Sequence, residues 1–183
     1  MRWSLQSGGI PLIPEIPGTD GKNVVTAWDV LSERVFPEPN VVIIGGGKVG
    51  CEAADYVAHI VDDLQPGGNR VTVIEMLDNV VLDDFSPWRS VLIQRLKSKG
   101  VKIITRAKVT QILPDGVKYR KESADESLRG MNHIVLAMGT RSNNALVEKL
   151  QGSPIPIYVI GDAKEPHTAL EAIAEAWKVG RKI

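Results

Sequence analysis

The chain has 183 residues, and its 22 Lys and Arg balance its 22 Asp and Glu to a formal net charge of zero. This length suits one domain or slightly more, and a hydrophobic content of 43% is enough for a packed core. The balanced charge argues against nucleic acid as the main partner, because nucleic-acid-binding proteins usually carry a basic excess. No apolar run approaches the roughly 18 residues that cross a bilayer, and no signal peptide is recognisable. The single cysteine, Cys51, has no partner for an internal disulfide. We therefore expect a cytoplasmic protein without a membrane partner.

The first part of the chain is rich in proline. Pro11, Pro14 and Pro17 predict an irregular, extended stretch with no compact element before residue 23. Thr26 has the side chain of a helix N-cap and precedes a short apolar pattern, which predicts a short helix through Leu31.

A glycine-rich motif follows the first strongly apolar run. Residues 41–44 predict a buried strand that enters Gly45-Gly-Gly-Lys-Val-Gly50, a G-x-G-x-x-G pattern, and apolar residues at helical spacing follow from 49 to 64. Gly45 allows the tight turn, Gly47 lets a pyrophosphate approach the backbone, and Gly50 lets the helix pack close to the sheet. The phosphates would lie on the unpaired N–H groups at the helix N-terminus. The pattern predicts a dinucleotide-binding turn.

An acidic residue stands where such a site needs one. Residues 70–75 predict a second strand that ends in Glu75. A carboxylate there accepts hydrogen bonds from an adenosine ribose and repels a 2′-phosphate. Met76 and Leu77 follow, with no Arg just after Glu75 to receive a phosphate. We therefore predict NAD(H) rather than NADP(H), the alternative being that Glu75 is only a solvated strand end.

The rest of the larger pattern alternates strands and helices before it changes to a meander. The helix after the glycine motif is predicted to stop at 66–68. Another helix is predicted with Ser86 as its N-cap, Pro87 at its first position and Gly100 at its end, and a strand follows at 101–104. The meander is predicted as a hairpin of strands 109–113 and 117–119, a polar loop at 120–130 and a strand at 133–137.

The C-terminal part repeats the strand-to-helix pattern. A buried-type strand is predicted at 155–160, and it enters Gly161-Asp162. An apolar stripe at helical spacing follows, from Ala169 to Val179. Such a stripe is expected to fold back onto the nucleotide lobe or to pair with a second chain, as in a homodimer. The whole pattern predicts an α/β fold: a Rossmann-like, three-layer parallel sheet with helices and an antiparallel β-meander crossover.

Four markers in order carry a resemblance to a known family. They are Pro11-Leu-Ile-Pro-Glu-Ile-Pro-Gly18, Ile44-Gly-Gly-Gly-Lys-Val-Gly-Cys-Glu52, Val135-Leu-Ala-Met-Gly-Thr-Arg-Ser-Asn143 and Val159-Ile-Gly-Asp-Ala-Lys-Glu-Pro166. The chain resembles the C-terminal nucleotide-binding module of NADH:flavin oxidoreductases of the old yellow enzyme class, such as 2,4-dienoyl-CoA reductase, 2-enoate reductase and trimethylamine dehydrogenase. That module in turn resembles the pyridine nucleotide-disulfide oxidoreductases, which carry two dinucleotides.

The resemblance implies a set of cofactor-binding residues, whereas no residue of the sequence is a convincing catalytic side chain or metal ligand. The NADH-binding set would be Gly45, Gly46, Gly47, Gly50 and Glu75, with backbone N–H groups of Lys48 and Val49 on the pyrophosphate, Met138 and Gly139 near the NAD ribose, and Glu52 near the nicotinamide. Asp162 would bind the ribityl chain of FAD, with Gly161 allowing close approach. The alternative for Asp162 is a helix N-cap.

The resemblance also implies a division of the chain. Residues 39–146 would form the NAD(H)-binding Rossmann-like domain, and residues 1–38 and 147–183 would be remnants of a flavin lobe. The motif that binds the FAD adenosine, the FMN barrel and the Fe–S cysteines of the family have no counterpart in this sequence.

The expected function is therefore that of the NADH-binding part of a flavin-dependent oxidoreductase, which passes hydride from NADH to FAD or FMN. Its partner would be a flavin or a flavin-bearing domain or subunit, and the isolated chain would lack full activity. The chain would be a fragment, a truncated product or one subunit of a split enzyme. The alternatives are a stand-alone, non-catalytic module that binds NAD(H) or an adenine nucleotide and, less in keeping with the 159–162 segment, a methyltransferase-like fold.

Overall fold

The structure is a computed structural model that describes residues 3–64 and 70–182, with the side chains of residues 63 and 64 left out. Its elements in chain order are β1 (Trp3–Leu5), β2 (Gly9–Pro11), β3 (Val24–Thr26), α1 (Ala27–Leu31), β4 (Val41–Ile44), α2 (Lys48–Leu64), β5 (Val71–Ile74), α3 (Trp88–Ser98), β6 (Lys102–Ile104), β7 (Ala107–Leu113), β8 (Gly116–Lys121), β9 (Ala124–Arg129), β10 (His133–Leu136), β11 (Thr140–Ser142), α4 (Ala145–Lys149), β12 (Ile157–Val159), a 3₁₀ turn (Gly161–Ala163) and α5 (Ala169–Gly180). The helix stop predicted at 66–68 lies outside the described residues.

The chain divides into two compact units, and each is described by itself. The larger unit comprises residues 13–139, and the smaller unit joins the segment before residue 13 to the segment from residue 140 onward. The three-part domain organisation predicted from the sequence stays a prediction.

A five-stranded parallel sheet is the centre of the larger unit. Its strand order is β3–β10–β4–β5–β6. In the middle of the sheet Ile43 of β4 lies between Val135 of β10 and Val73 of β5. All residues of β4 and β5 are buried, because both faces of the sheet are covered. That double cover explains why these strands are continuous apolar runs rather than alternating patterns.

The two faces of this sheet have different covers. One face packs against the helices, in a core that joins Val41 and Ile43 to Val57 of α2 and Leu96 of α3. The other face packs against the meander β7–β8–β9, in a core that includes Val42, Ile44, Ile112 and Tyr119. Helices, parallel sheet and meander form three layers, so the predicted fold class is confirmed.

Helix ends agree with the prediction at α1 and differ at α3. Thr26 and Asp29 form a capping box at the start of α1, as the Thr26 cap predicts. Helix α3 begins at Trp88, with Pro87 rather than Ser86 in the cap position at φ −56° and ψ −22°. The Ser86 N–H donates instead to the Asp84 carboxylate at 2.8 Å. Ser86 therefore belongs to the preceding loop, and its predicted capping role is wrong.

The polar segment at 120–130 is not a loop, contrary to the prediction. Residues 124–129 form β9, which pairs antiparallel with β8 at the edge of the meander. Its side chains are mostly exposed and polar, so no apolar alternation marks it. The strand is held by backbone pairing and by contacts such as Tyr119 Oη to Glu126 Oε2 at 2.7 Å. Charged side chains on such an edge hinder its unpaired backbone groups from pairing with another chain.

The smaller unit contains two short strand pairs. β1 pairs in parallel with β12, and β2 pairs antiparallel with β11. The N-terminal stretch is extended, as predicted, but it is not irregular throughout, because it contains the two short strands β1 and β2. The C-terminal strand is only half-buried and runs over Ile157–Val159, shorter than predicted. Both pairings join residues far apart in sequence, which local patterns do not reveal.

Helix α5 follows the predicted stripe. Its N-terminus is a capping box of Thr168 and Glu171. Leu170, Ile173 and Trp177 are 76%, 67% and 62% exposed. Pairing of this stripe with a second chain stays a prediction. Within the described part of the chain, no helix has the length and apolar character needed to cross a bilayer.

Candidate dinucleotide-binding site

The glycine turn lies at the carboxyl end of β4, in the middle of the parallel sheet. Gly45 has φ +106°, and a Cβ there would lie 2.3 Å from the Ala137 carbonyl oxygen. A Cβ on Gly50 would lie 2.0 Å from the Gly45 carbonyl oxygen. Both positions therefore need glycine: the first for its left-handed backbone, the second for the close approach of α2 to the strand. Ligands of open α/β sheets bind at this edge.

A cavity of about 530 Å³ opens at the turn within the larger unit. The residues predicted from the sequence that line it are Gly45, Gly46, Gly47, Val49, Gly50, Glu75, Met138 and Gly139. Lys48, the first residue of α2, and Glu52, one turn further along the helix, do not line it. Much of the wall is apolar, from Ile16, Leu77 and Leu82 among others. Such a wall suits the flat face of a base beside a polar phosphate cradle.

Glu75 is not a solvated strand end. It is 8% exposed, and its two carboxylate oxygens accept from the backbone N–H groups of Gly46 at 2.6 Å and Leu77 at 2.8 Å. The side chain therefore ties the glycine turn to the end of β5. Each carboxylate oxygen has a further lone pair that can accept a ribose hydroxyl.

The N-terminus of α2 already has an acidic partner. The backbone N–H of Lys48 donates to both oxygens of Asp83, at 2.9 and 3.0 Å. Asp83 belongs to the loop between β5 and α3 and lines the cavity. Sequence reasoning missed this residue. Its position in the loop after β5 could have indicated it, because loops that follow the strands of a parallel sheet border the ligand site at the carboxyl edge.

The Lys48 side chain contacts the neighbouring residue of the same loop. Its Nζ lies 3.2 Å from Asp84 Oδ2, and Asp84 is buried. Hydrogen bonds from the side chain and then the backbone of Ser86, with a further contribution from Lys48, lower the pKa of Asp84 to about 2. The loop is thus bound to α2 through an ionised carboxylate at neutral pH.

Negative charge accumulates around the turn. Burial, followed by the charges of Asp83, Glu75 and Glu52, raises the pKa of Cys51 to about 12. The thiol is fully buried, with Sγ 3.4 Å from the Gly46 carbonyl oxygen. Cys51 therefore stays protonated and packs under the helix as a small core residue.

Two basic residues, Arg106 and Lys108, lie near the residues that follow Glu75, and the spacing of the sequence did not reveal them. Lys108 lines the cavity. Arg106 donates its backbone N–H to the Leu77 carbonyl at 3.0 Å, and its Nε lies 3.1 Å from Asp78 Oδ1. An arginine is thus close in space to the residues after Glu75, although none is close in sequence.

The flavin-site residues predicted from the sequence lie in the smaller unit. Asp162 lines a second cavity of about 340 Å³, together with Gln6, Gly8 and the first turn of α5. Gly161 has φ +59°, and its N–H donates to Glu175 Oε2 at 2.9 Å. Asp162 Oδ1 accepts from the His167 N–H at 3.4 Å. The N-cap of α5 is Thr168, so Asp162 does not cap that helix.

Comparison with known proteins assigns the chain to a family. Residues 5–156 match the family described as pyridine nucleotide-disulphide oxidoreductase. The chain belongs to this family. Its fold is the one predicted, and the predicted cofactors, NAD(H) and a flavin, are those of the family. The chain is thus a module of an oxidoreductase family whose members use pyridine nucleotides and a flavin.

Individual relatives are longer than this chain. An NADH oxidase from Thermoanaerobacter brockii is 35% identical over 98% of the chain and 27% of its own length. A metal reductase from Desulforamulus reducens is 30% identical over 96% of the chain and 30% of its own length. A solved 2-naphthoyl-CoA reductase complex superposes with a TM-score of 0.86 at 28% identity, over 98% of the chain and 26% of that protein. The chain therefore spans less than a third of the length of these relatives.

Proposed function

We propose that this chain is the NADH-binding lobe of an NADH:flavin oxidoreductase of the old yellow enzyme class. The observation that carries the proposal is the cavity at the glycine turn, with the Glu75 carboxylate buried at its side. The family match supports a pyridine nucleotide as the ligand, and the sequence markers at 11–18 and 135–143 support the narrower class.

The residues of the larger unit would bind and orient the dinucleotide. When bound, NADH supplies the hydride that a flavin accepts. The backbone at 46–49 would face the pyrophosphate: Gly46 and Gly47 have no side chain to fill the space that phosphate oxygens need, and Lys48 and Val49 would offer their backbone N–H groups. Glu75 would accept from the adenosine ribose while it holds Gly46. Met138 and Gly139, which follow β10, would lie near the NAD ribose, and Glu52 would lie near the nicotinamide.

Selection of NADH over NADPH would depend on charge at the adenosine end. The Glu75 carboxylate repels a 2′-phosphate. Arg106 could attract one, but its guanidinium already pairs with Asp78. The pair is exposed, with side-chain exposures of 59% and 78%, so its contribution is modest. The net expectation is a preference for NADH.

The flavin would be bound largely by protein outside this chain. The chain covers less than a third of the relatives' lengths. Asp162 and Gly161 would contribute the contact to a ribityl chain. We therefore expect the isolated chain to bind NADH but to oxidise it slowly when free flavin is added.

A titration tests the proposal. NADH and NADPH are added separately to the wild-type chain and to Glu75→Gln, and energy transfer from tryptophan to the reduced nicotinamide is recorded. We expect saturable NADH binding, weaker NADPH binding, and a smaller difference between the two in Glu75→Gln because the repelling charge is gone. Glu122→Gln, an exposed residue of the meander, is the matched control. Saturable NADH binding without any reduction of added FAD or FMN would favour the non-catalytic module instead, and no NADH binding by the wild type would contradict the proposal.

A further inference from the structure

The Asp83 carboxylate lies over the centre of the proposed phosphate cradle. It accepts from the Lys48 N–H through both oxygens, at 2.9 and 3.0 Å. A Cβ built on Gly47 would lie 3.1 Å from Asp83 Oδ2, so the carboxylate faces the second glycine of the motif as well. These are the groups that a bound pyrophosphate would use. A carboxylate and a phosphate oxygen compete for the same donors.

The loop that carries Asp83 is anchored on both sides of this contact. The Val81 N–H donates to the Gly46 carbonyl oxygen at 2.7 Å, and Asp84 binds the Lys48 ammonium. Val81 is fully buried with φ +55°, a conformation that a β-branched residue adopts only at a cost. Asp83 itself is exposed. Its side chain can therefore turn into solvent while the anchors on either side stay in place.

We propose that Asp83 is a built-in competitor for the phosphate position, displaced when the dinucleotide binds. The inference rests on the proposed function and adds a residue that sets its affinity. Binding a pyrophosphate breaks the contact of Asp83 with Lys48 and leaves a free carboxylate next to the incoming anion. Both effects weaken every ligand that places phosphate on α2, and neither affects a ligand that stops at the ribose.

The test compares ligands with and without phosphate. NADH, ADP and adenosine are titrated calorimetrically into wild type, Asp83→Asn and Asp83→Ala at fixed ionic strength. We expect both variants to bind NADH and ADP roughly tenfold more tightly, the factor that corresponds to about 1.4 kcal/mol, and to bind adenosine unchanged. Melting temperatures are expected to fall slightly in both variants, because the carboxylate also stabilises the start of α2. Affinity and stability would thus change in opposite directions, which a purely structural role of Asp83 would not produce.

Asp125→Asn is the control for the loss of one negative charge. Asp125 pairs with Arg120 on the meander surface, so its loss changes the net charge equally without touching α2. Wild-type affinity for all three ligands is expected there. Equal or weaker NADH binding in both Asp83 variants, with normal binding by the wild type, would overturn the inference and leave the proposed function standing. Failure of wild type and both variants to bind NADH and ADP would overturn both.

Discussion

Two parts of the chain carry the same strand–glycine–helix pattern, and they end in different environments. Helix α2 follows β4 and Gly45, and its residues Val57 and Val61 are fully buried. Helix α5 follows β12 and Gly161, and its Leu170 and Trp177 are mostly exposed. The pattern therefore predicts the element in both cases, whereas burial depends on whether a sheet of sufficient width is present to receive the apolar face.

The largest contrast is expected from matched leucines. Leu96 of α3 is fully buried and Leu170 of α5 is 76% exposed. Leu96→Ala leaves a cavity in the core and is expected to lower the free energy of unfolding by about 2–5 kcal/mol. Leu170→Ala is expected to change it by less than about 0.5 kcal/mol. Urea denaturation followed by circular dichroism measures both. A similar loss in the two variants would mean that α5 is covered in solution, as in a dimer.

The two glycines are expected to differ as well. A Cβ on Gly50 would lie 2.0 Å from a backbone oxygen, which cannot give way without moving the turn. Gly50→Ala is expected to cost about 2–3 kcal/mol of unfolding free energy and to abolish NADH binding. A Cβ on Gly161 would meet the flexible end of Gln6 at 2.9 Å, so Gly161→Ala pays mainly for its φ of +59°, about 1 kcal/mol. Unchanged NADH binding in Gly50→Ala would contradict the role of the turn.

A smaller effect is expected from the ion pairs that join α2 to α3. Asp55 is 7% exposed, and Lys99 Nζ reaches both its carboxylate and its backbone oxygen at 2.8 Å, with Arg95 as a second partner. Asp55→Asn removes the charge and is expected to cost about 1–2 kcal/mol of unfolding free energy, because both cations are partly solvated. The exposed pair of Asp125 and Arg120 is expected to contribute little. Thermal melting of the two Asp→Asn variants distinguishes these outcomes.

The smallest expected effect is a dependence of the stability on pH in the acid range. The folded-state pKa of Asp84 is about 2, below its ordinary value of 3.8. A depressed carboxyl pKa gives a stability contribution that is complete above the ordinary value and is lost as the pH falls through 3.8 towards 2. Between these values the wild type is expected to lose more stability than Asp84→Asn. Parallel unfolding curves for the two proteins across this range would contradict the role assigned to Asp84.

The central strand, turn and helix of the larger unit could be predicted from the sequence, whereas several short or exposed strands could not. Val41–Ile44 and the glycine turn are local signals of apolar run, spacing and backbone freedom, so strand, turn and helix followed directly. Strand β9 was missed because an exposed edge carries no apolar pattern. β1 and β2 were missed because their partners lie at the other end of the chain.

The residues of the candidate site that belong to the glycine motif or to the end of the next strand could be predicted from the sequence. The glycines and Glu75 follow from spacing alone. Asp83 and Arg106 do not, because each lies in a loop, and the sequence does not show how that loop brings it to the site. Only the three-dimensional fold brings an acidic residue onto the Lys48 N–H and an arginine to Leu77.

The most direct test of the account is a residue-resolved nuclear magnetic resonance titration of the labelled chain with NADH. The account predicts saturable shifts of the backbone amides of Gly46, Gly47 and Lys48 at the α2 turn, and little change at the Gly161 amide, which donates to Glu175. Shifts confined to the amides around Gly161, or none at the α2 turn at any NADH concentration, would contradict the assignment of the nucleotide site.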